Sequence, residues 1–346
     1  MKIVISGYYG HGNFGDEAIL RVIFAELKKN FENAEITVLS KIPNLKAIAD
    51  CDIFVSGGGS LLQDVTSLKS LLYYLGLLYM AVILKKKTII YSQGIGPINS
   101  NLGKKLTAYV LKNVDLITVR DKESVEFLKS LNIDSNLTGD PVWELEYNPV
   151  KTEKNKINVG IQLRKWPALD EAKLKTLAYA ITSSFKGQDI ILNLISLQDK
   201  NDLEVLNSFR EMINGIETKV LTGLTLDETI DCICNLDYLI AMRYHACLVA
   251  AKYSVPFLAI TYDPKVKILA KETTAPFVSV KDMNFSMLNN AIKYLITEKN
   301  RIQANLREIS IQKAEQALMS PFFVRLFKPD AECDHGKTSH EKVNSK

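Results

Sequence analysis

The chain alternates short apolar runs with amphipathic stretches, and it does so twice, once over residues 1–150 and again over 151–327. In the first series, Val/Ile/Leu-rich runs at residues 2–6, 35–40, 51–56, 87–92 and 114–119 read as strands. Helical periodicity fills 16–30, 61–84, 102–112 and 121–131. Strands without polar alternation must be covered on both faces, which a parallel sheet flanked by helices provides. A polar, lysine-rich linker at 148–156 interrupts the pattern. It restarts with strands at 157–162, 189–195, 218–221, 237–241 and 256–260, and helices over 170–185, 200–213, 226–234 and 245–253. A closing helical stretch covers 284–318, and residues 328–346 are polar, aperiodic and read as a disordered tail. The expected fold is α/β, with two Rossmann-like doubly wound parallel-sheet domains, 1–150 and 151–327, facing a cleft. Ligands of such sheets bind beyond the carboxyl ends of the strands, so function is sought there.

Three strand ends in the first half are rich in glycine. Gly10-His11-Gly12-Asn13-Phe14-Gly15 matches the dinucleotide fingerprint between a strand and a helix. Two features argue against a nicotinamide cofactor. The second strand ends Val38-Leu39-Ser40-Lys41 with no carboxylate for the ribose, and the helix opens with Asp16 and Glu17, which repel a pyrophosphate. The turn is better suited to approach of backbone to a sugar, with Asn13, Asp16 and Glu17 as polar contacts. Those two carboxylates also complement the helix dipole. Ser56-Gly57-Gly58-Gly59-Ser60 and Ser92-Gln93-Gly94-Ile95-Gly96 end two further strands. Gly58, Gly59, Ser60 and Gln93 become candidates for holding an anion or hydroxyl, while Asp64 adds a carboxylate just beyond.

The remaining strand ends carry positive charge. Arg120 follows the fifth strand, Arg164 and Lys165 follow the first strand of the second half, and Arg243-Tyr244-His245 opens a later helix. Lys265 comes twenty residues after His245, past another apolar strand. Arginine offers a planar fork for phosphate or carboxylate, lysine a point charge, and histidine a titratable proton. A cleft lined by Arg120, Arg164, Arg243, His245 and Lys265 suits a small, multiply charged anion. Asp140, in Thr138-Gly139-Asp140-Pro141, reads first as a turn former and second as a catalytic carboxylate.

Composition narrows the classes further. A net charge of +4 with no basic stripe between aromatics gives no reason to expect nucleic acid. Five cysteines, an odd number with Cys232-x-Cys234 matching no zinc knuckle or redox pair, read as small buried side chains in a reducing cytosol. Four histidines, two of them in the polar tail, give no metal site, and no cofactor is expected. A strand starting at Lys2 leaves no signal peptide, so a cytoplasmic protein is expected. Ser70–Leu84 is apolar but shorter than the ~20 residues of a spanning helix, and reads as a buried helix. Its flanking Lys69 and Lys85–Lys87 leave room for peripheral contact with the anionic inner face of a membrane. Homo-oligomerisation is left open.

Taken together, GYYGHGNFGDEAIL, SGGGSLLQD, SQGIGPI, VRDKES, TGDPVW, AMRYHACLVAA and ITYDPKV resemble the polysaccharide pyruvyl transferases, nearest their CsaB-type cell-wall members. The resemblance runs in order from residue 1 to about 270. It implies a GT-B-like two-domain architecture, phosphoenolpyruvate as donor and a 4,6-linked pyruvate ketal as product, formed on N-acetylmannosamine of a lipid-linked cell-wall polysaccharide precursor. It also implies a donor site of Arg243, His245, Lys265 and one strand-end arginine, Arg120 before Arg164. In that scheme His245 is the general acid, and Asp16 or Asp64 activates the sugar hydroxyl. The competing readings are a nucleotide-sugar glycosyltransferase, with Glu272 as its ribose-binding carboxylate, and a non-catalytic sugar-binding protein.

Overall fold

A computed structural model of the protein describes residues 1–39, 43–65 and 67–325. Its chain builds two six-stranded sheets in which every ladder is parallel. The first contains β1 (Lys2–Ser6), β2 (Glu35–Val38), β3 (Ile53–Ser56), β4 (Lys87–Gln93), β5 (Leu116–Val119) and β6 (Asn136–Leu137), in the order β2-β1-β3-β4-β5-β6. Its helices are α1 (Phe14–Asn30), α2 (Leu45–Asp50), α3 (Leu68–Ile83), α4 (Asn101–Leu111) and α5 (Lys122–Ser130). The second sheet contains β7 (Ile157–Gln162), β8 (Ile190–Ile195), β9 (Glu217–Leu221), β10 (Tyr238–Ala241), β11 (Phe257–Thr261) and β12 (Phe277–Ser279), in the order β12-β11-β10-β7-β8-β9. Around it lie α6 (Glu171–Ser184), α7 (Asp199–Glu211), α8 (Leu226–Cys234), α9 (Tyr244–Lys252), α10 (Pro264–Glu272) and α11 (Phe285–Thr297), followed by α12 (Lys299–Ala317) and α13 (Met319–Arg325).

In each sheet the strand order reverses beside the first strand, between β1 and β3 and between β7 and β10. Helices must diverge to opposite faces there, which opens a crevice at the carboxyl ends of the strands. Gly10–Gly15 and Gly57–Gly59 leave one crevice, and Arg164 and Arg243 leave the other. The cores behind them are dry. Ile3, Ile5 and Val55 in the first lobe, and Val159, Ile161, Leu239 and Ile260 in the second, are all buried.

Where the elements depart from the sequence pattern, a local contact explains it. The helix expected over 61–84 starts only at Leu68, because the Ser67 hydroxyl caps it by accepting the Ser70 N–H, while Leu61 and Leu62 are buried in the preceding loop. The short elements α2, β6 and β12, and the nine-residue α10, carry too little periodicity to stand out from the surrounding sequence. The closing helical stretch divides into two, α11 and α12, and α13 follows it and crosses back to the first lobe. There the Ser320 hydroxyl lies 2.5 Å from Ser92 Oγ, 3.0 Å from Thr138 Oγ1 and 3.2 Å from Thr118 Oγ1, all buried. Arg325 Nε donates to Asn30 at 2.7 Å. The segment after the second sheet therefore packs against the first lobe. The expected tail at 328–346 lies outside the described residues, as does Cys333. Cys51, Cys234 and Cys247 are buried and Cys232 is half-buried.

Helix α1 joins the lobes. The Phe14 N–H donates to the Leu197 carbonyl at 3.1 Å, Arg21 pairs with Asp227, and the Tyr147 hydroxyl donates to Asp231 at 2.9 Å. No helix among the described residues is long and apolar enough to cross a membrane.

Candidate active site

Two helix N-termini meet between the lobes. On the first lobe, Asn13 caps α1: its Oδ1 accepts the Gly15 N–H at 3.2 Å and its amide donates to Asp16. Glu17 turns back to accept the Gly10 N–H at 2.7 Å, closing the glycine turn. On the second lobe, α9 starts after Arg243 with no side-chain cap and no acid in its first turn. An N-terminus left in that state presents the positive end of its dipole and its free amides to the cleft.

Glycine is required where the two meet. A Cβ on Gly15 would lie 2.0 Å from Nδ1 of His245, so the imidazole rests directly on the backbone of α1. Gly59 (φ +95°) brings its backbone against the Asp16 carboxylate, where a Cβ would stand 3.1 Å from Oδ1. The third glycine of the fingerprint thus makes room for a histidine from the other lobe.

Asp140 organises the charges around this contact. Its Oδ2 accepts from Arg120 Nη1 at 2.9 Å and lies 3.6 Å from His245 Nε2, while Oδ1 accepts the Val142 N–H at 3.1 Å. Arg120 Nη2 donates to Ser60 Oγ at 2.8 Å, and the guanidinium sits 5.2 Å from the centre of the Tyr244 ring. Across from it, Lys265 occupies the first turn of α10, 3.7 Å from Asp263. Arg164 lies against the Trp166 and Tyr262 rings and donates from Nη1 to the Tyr262 hydroxyl at 3.0 Å. Its Nε is buried with no hydrogen-bond partner. The Lys265 charge feels Asp263, Arg120, Asp16 and Arg164, so groups from both lobes share one electrostatic neighbourhood.

The protonation states follow from that crowding. Burial pushes the Asp16 carboxyl up to about 7, although Lys265 and Arg120 pull the other way. Burial also acts to raise Asp140, but His245 and Arg120 outweigh it and hold that carboxyl at about 2. His245 is lowered from its ordinary value, first by burial and then by Arg120 and Lys265, against the opposing pull of Asp140. Lys265 is lowered mainly by burial. The site therefore holds a neutral imidazole with an unbonded Nε2, a carboxyl poised near neutrality, and an excess of cationic groups.

Several candidates have other employment. The Arg243 fork does not face the cleft cations. Nε and Nη2 grip Asp202 at 2.6–3.1 Å, Nη2 reaches Gln198 at 3.1 Å, and the residue is only 8% exposed. A buried carboxylate has taken the fork expected to clamp phosphate, and Arg243 instead sets the start of α9. Asp64 accepts the Asn99 and Ser100 N–H groups at 2.8 Å each, and these bonds lower its pKa. It pins the loop before α4 and is not positioned as a base. Gln93 is fully buried and donates to Ser56 Oγ and the Gly57 carbonyl, tying two turns together. Gly58 gives way to Ile19 of α1, where a Cβ would stand 2.7 Å from Cγ2. Glu272 ends α10, at the opposite end of the helix from Lys265, and accepts from Lys313 at 2.8 Å.

Sequence reasoning undervalued Asp140, whose Asp-Pro setting does mark a turn but leaves one oxygen free for both Arg120 and His245. It also missed Tyr244, and Tyr9, whose buried hydroxyl has no partner and fills the space left by Gly7 and Gly57. Only the two glycines hinted at Tyr9. Cavity size does not locate the chemistry either. A cavity of about 790 Å³, lined in part by Glu26, Glu144 and Lys252, opens at the far end of α9 from His245.

The architecture is similar to solved structures of GT-B-fold epimerases and glycosyltransferases. S. aureus MnaA, solved with UDP, matches with a TM-score of 0.68 at 11% identity over 94% of this chain and 95% of that one. UDP-GlcNAc 2-epimerase from Neisseria meningitidis matches at 0.60 and 10% identity over 94% and 99%. Sucrose-phosphate synthase from Thermosynechococcus elongatus matches at 0.59 and 12% over 94% and 99%. At such identities the likeness is one of fold. No curated protein matches the sequence. The polysaccharide pyruvyl transferase family matches residues 13–264, a span that holds Asp16, Arg120, Asp140, Arg164 and His245 and stops just short of Lys265, and the chain belongs to that family.

Proposed function

We propose that this cleft transfers the three-carbon unit of phosphoenolpyruvate to a sugar, forming a 4,6-pyruvate ketal and releasing phosphate. The observation that carries the reading is the meeting of Asp16, Arg120, Arg164, His245 and Lys265 at two apposed helix N-termini. A trianionic donor fits such an excess of positive charge. Lys265 and Arg120 hold the phosphate beside the uncapped start of α9. Arg164, whose buried Nε lacks a partner, offers its free N–H to the carboxylate.

The donor's own charge changes His245. A phosphate dianion beside the imidazole favours imidazolium, so donor binding draws a proton onto a ring that burial otherwise keeps neutral. His245 then protonates the donor's methylene carbon, and the first sugar hydroxyl adds to the neighbouring carbon. The carboxylate of Asp16 accepts that hydroxyl's proton, a role suited to a group whose pKa is about 7. The C–O bond to phosphate breaks as the proton on Asp16 passes to the departing phosphate, and the second hydroxyl attacks the same carbon to close the ketal, giving its proton to the now neutral His245. The motif resemblance supports a CsaB-type role, with N-acetylmannosamine of a lipid-linked cell-wall precursor as acceptor.

The test is phosphate release from phosphoenolpyruvate and a 4,6-diol acceptor. His245→Ala should retain the fold and lose turnover by about 10² or more. Near-normal turnover in that variant removes His245 from the reaction. UDP release from a nucleotide sugar, with no phosphate from phosphoenolpyruvate, would favour a glycosyltransferase instead.

A further inference from the structure

The first lobe carries a face that neither the site nor the core accounts for. Between Val65 and Val114 the sequence contains seven lysines and no aspartate or glutamate. The rest of the chain holds 36 basic against 39 acidic residues, so the net positive charge of the protein resides in this one segment. The segment includes α3 and α4, which pack together with the Tyr79 and Tyr109 rings 5.7 Å apart.

Helix α3 has no charged residue between Lys69 and Lys85, yet it is not enclosed. Leu72, Tyr73, Gly76 and Ile83 are exposed along one stripe at helical spacing, with Ile83 57% accessible. Helix α4 continues the surface with Leu102 and Tyr109, both more than half accessible, in a stretch that also carries Lys104, Lys105 and Lys112. A surface helix ordinarily turns charge outward, so an apolar outer stripe ringed by lysines reports a second environment. Among the described residues, none of Lys69, Lys85, Lys104, Lys105 or Lys112 is within ion-pair distance of a carboxylate.

We propose that the α3–α4 face docks the protein on an anionic lipid surface. The lysines match the headgroups in sign, while Leu72, Tyr73 and Leu102 are of the type that enters the interfacial layer. A second copy of the chain is a poor occupant, because a symmetric contact would set the lysine ring of one copy against that of the other. The face is also placed for use. The N-termini of α3 and α4 follow the strand ends that border the cleft, and Tyr74, next to Tyr73, has its phenol within electrostatic reach of Asp16. An acceptor held in a bilayer would reach the cleft from this side.

The experiment is co-sedimentation of the full chain with vesicles of phosphatidylcholine alone and with roughly 30 mol % phosphatidylglycerol. It needs no turnover, so its failure leaves the proposed reaction untouched. Binding should require the anionic lipid and weaken from about 0.1 to about 0.5 M salt. Each lysine near such a surface strengthens partitioning about fivefold, so the triple variant Lys104→Gln/Lys105→Gln/Lys112→Gln should lose about 100-fold. Leu72→Ser/Tyr73→Ser should weaken it independently of salt, and Lys186→Gln/Lys200→Gln in the second lobe should not. Equal binding to neutral vesicles, no binding at low salt, or unaltered binding by the α3–α4 variants overturns the proposal. So does a dimer in sedimentation that Leu72→Ser/Tyr73→Ser dissociates.

Discussion

Asp16 keeps its proton to about pH 7 because it is buried beside the glycine turn, and this has a measurable cost. A carboxyl raised in the folded state is neutral and harmless below its unfolded pKa of about 4, and destabilises increasingly as pH rises through the folded value. Asp16→Asn removes that titration. The stability of the variant relative to wild type should grow between pH 4 and 7 and stay constant above. The gain is up to about 4 kcal/mol, at about 1.4 kcal/mol per pKa unit. Urea unfolding at pH 5 and 8 checks it, and an identical difference at both would contradict the raised pKa. Turnover should fall in the same variant, since the amide cannot take the sugar's proton. Asp140 has the opposite character. The Arg120 guanidinium and the neighbouring His245 imidazole keep it ionised, so it orients both without exchanging protons.

At the scale of elements, the decisive contact is between α1 and α9. Gly15 lies within the first turn of α1, where alanine is ordinarily the better helix former by about 1 kcal/mol. Gly15→Ala nevertheless drives a methyl group into the imidazole plane. The side chain of His245 can rotate away, so the expected result is a modest change in Tm with turnover reduced by about 10². A variant with normal turnover would mean that His245 works in another rotamer. The fingerprint glycines were legible in the sequence, but their purpose was not. A Gly-x-Gly-x-x-Gly turn announces that something approaches the helix closely, and here the visitor is a side chain of the opposite lobe 230 residues away.

At the scale of the molecule, α13 fastens the end of the chain to the first sheet through Ser320. Ser320→Ala leaves Ser92, Thr118 and Thr138 buried without that partner and should cost about 1–2 kcal/mol in urea unfolding. A change under about 0.3 kcal/mol would show that the three hydroxyls satisfy one another. The crossing also means that the lobes are not independent beads: the chain passes between them at the linker and returns at α12. Cleft geometry and first-lobe stability are therefore coupled through the same closing segment.

Alternating apolar strands, helical periodicity and glycine at strand ends are local properties, and from them the two parallel-sheet lobes and the cleft between them could be read directly. Arg120, Arg164, His245 and Lys265 were legible as well, because strand ends in such sheets point to one edge. Partner choice was decided only in three dimensions. Arg243 looked like the natural clamp for an anion until Asp202, 41 residues earlier, proved to hold it. Asp64 was spent on two backbone amides, and a turn aspartate became the hub of the site. A charged side chain is committed by whichever opposite charge or donor lies within about 3 Å in a medium of low dielectric, and sequence separation carries no record of that distance.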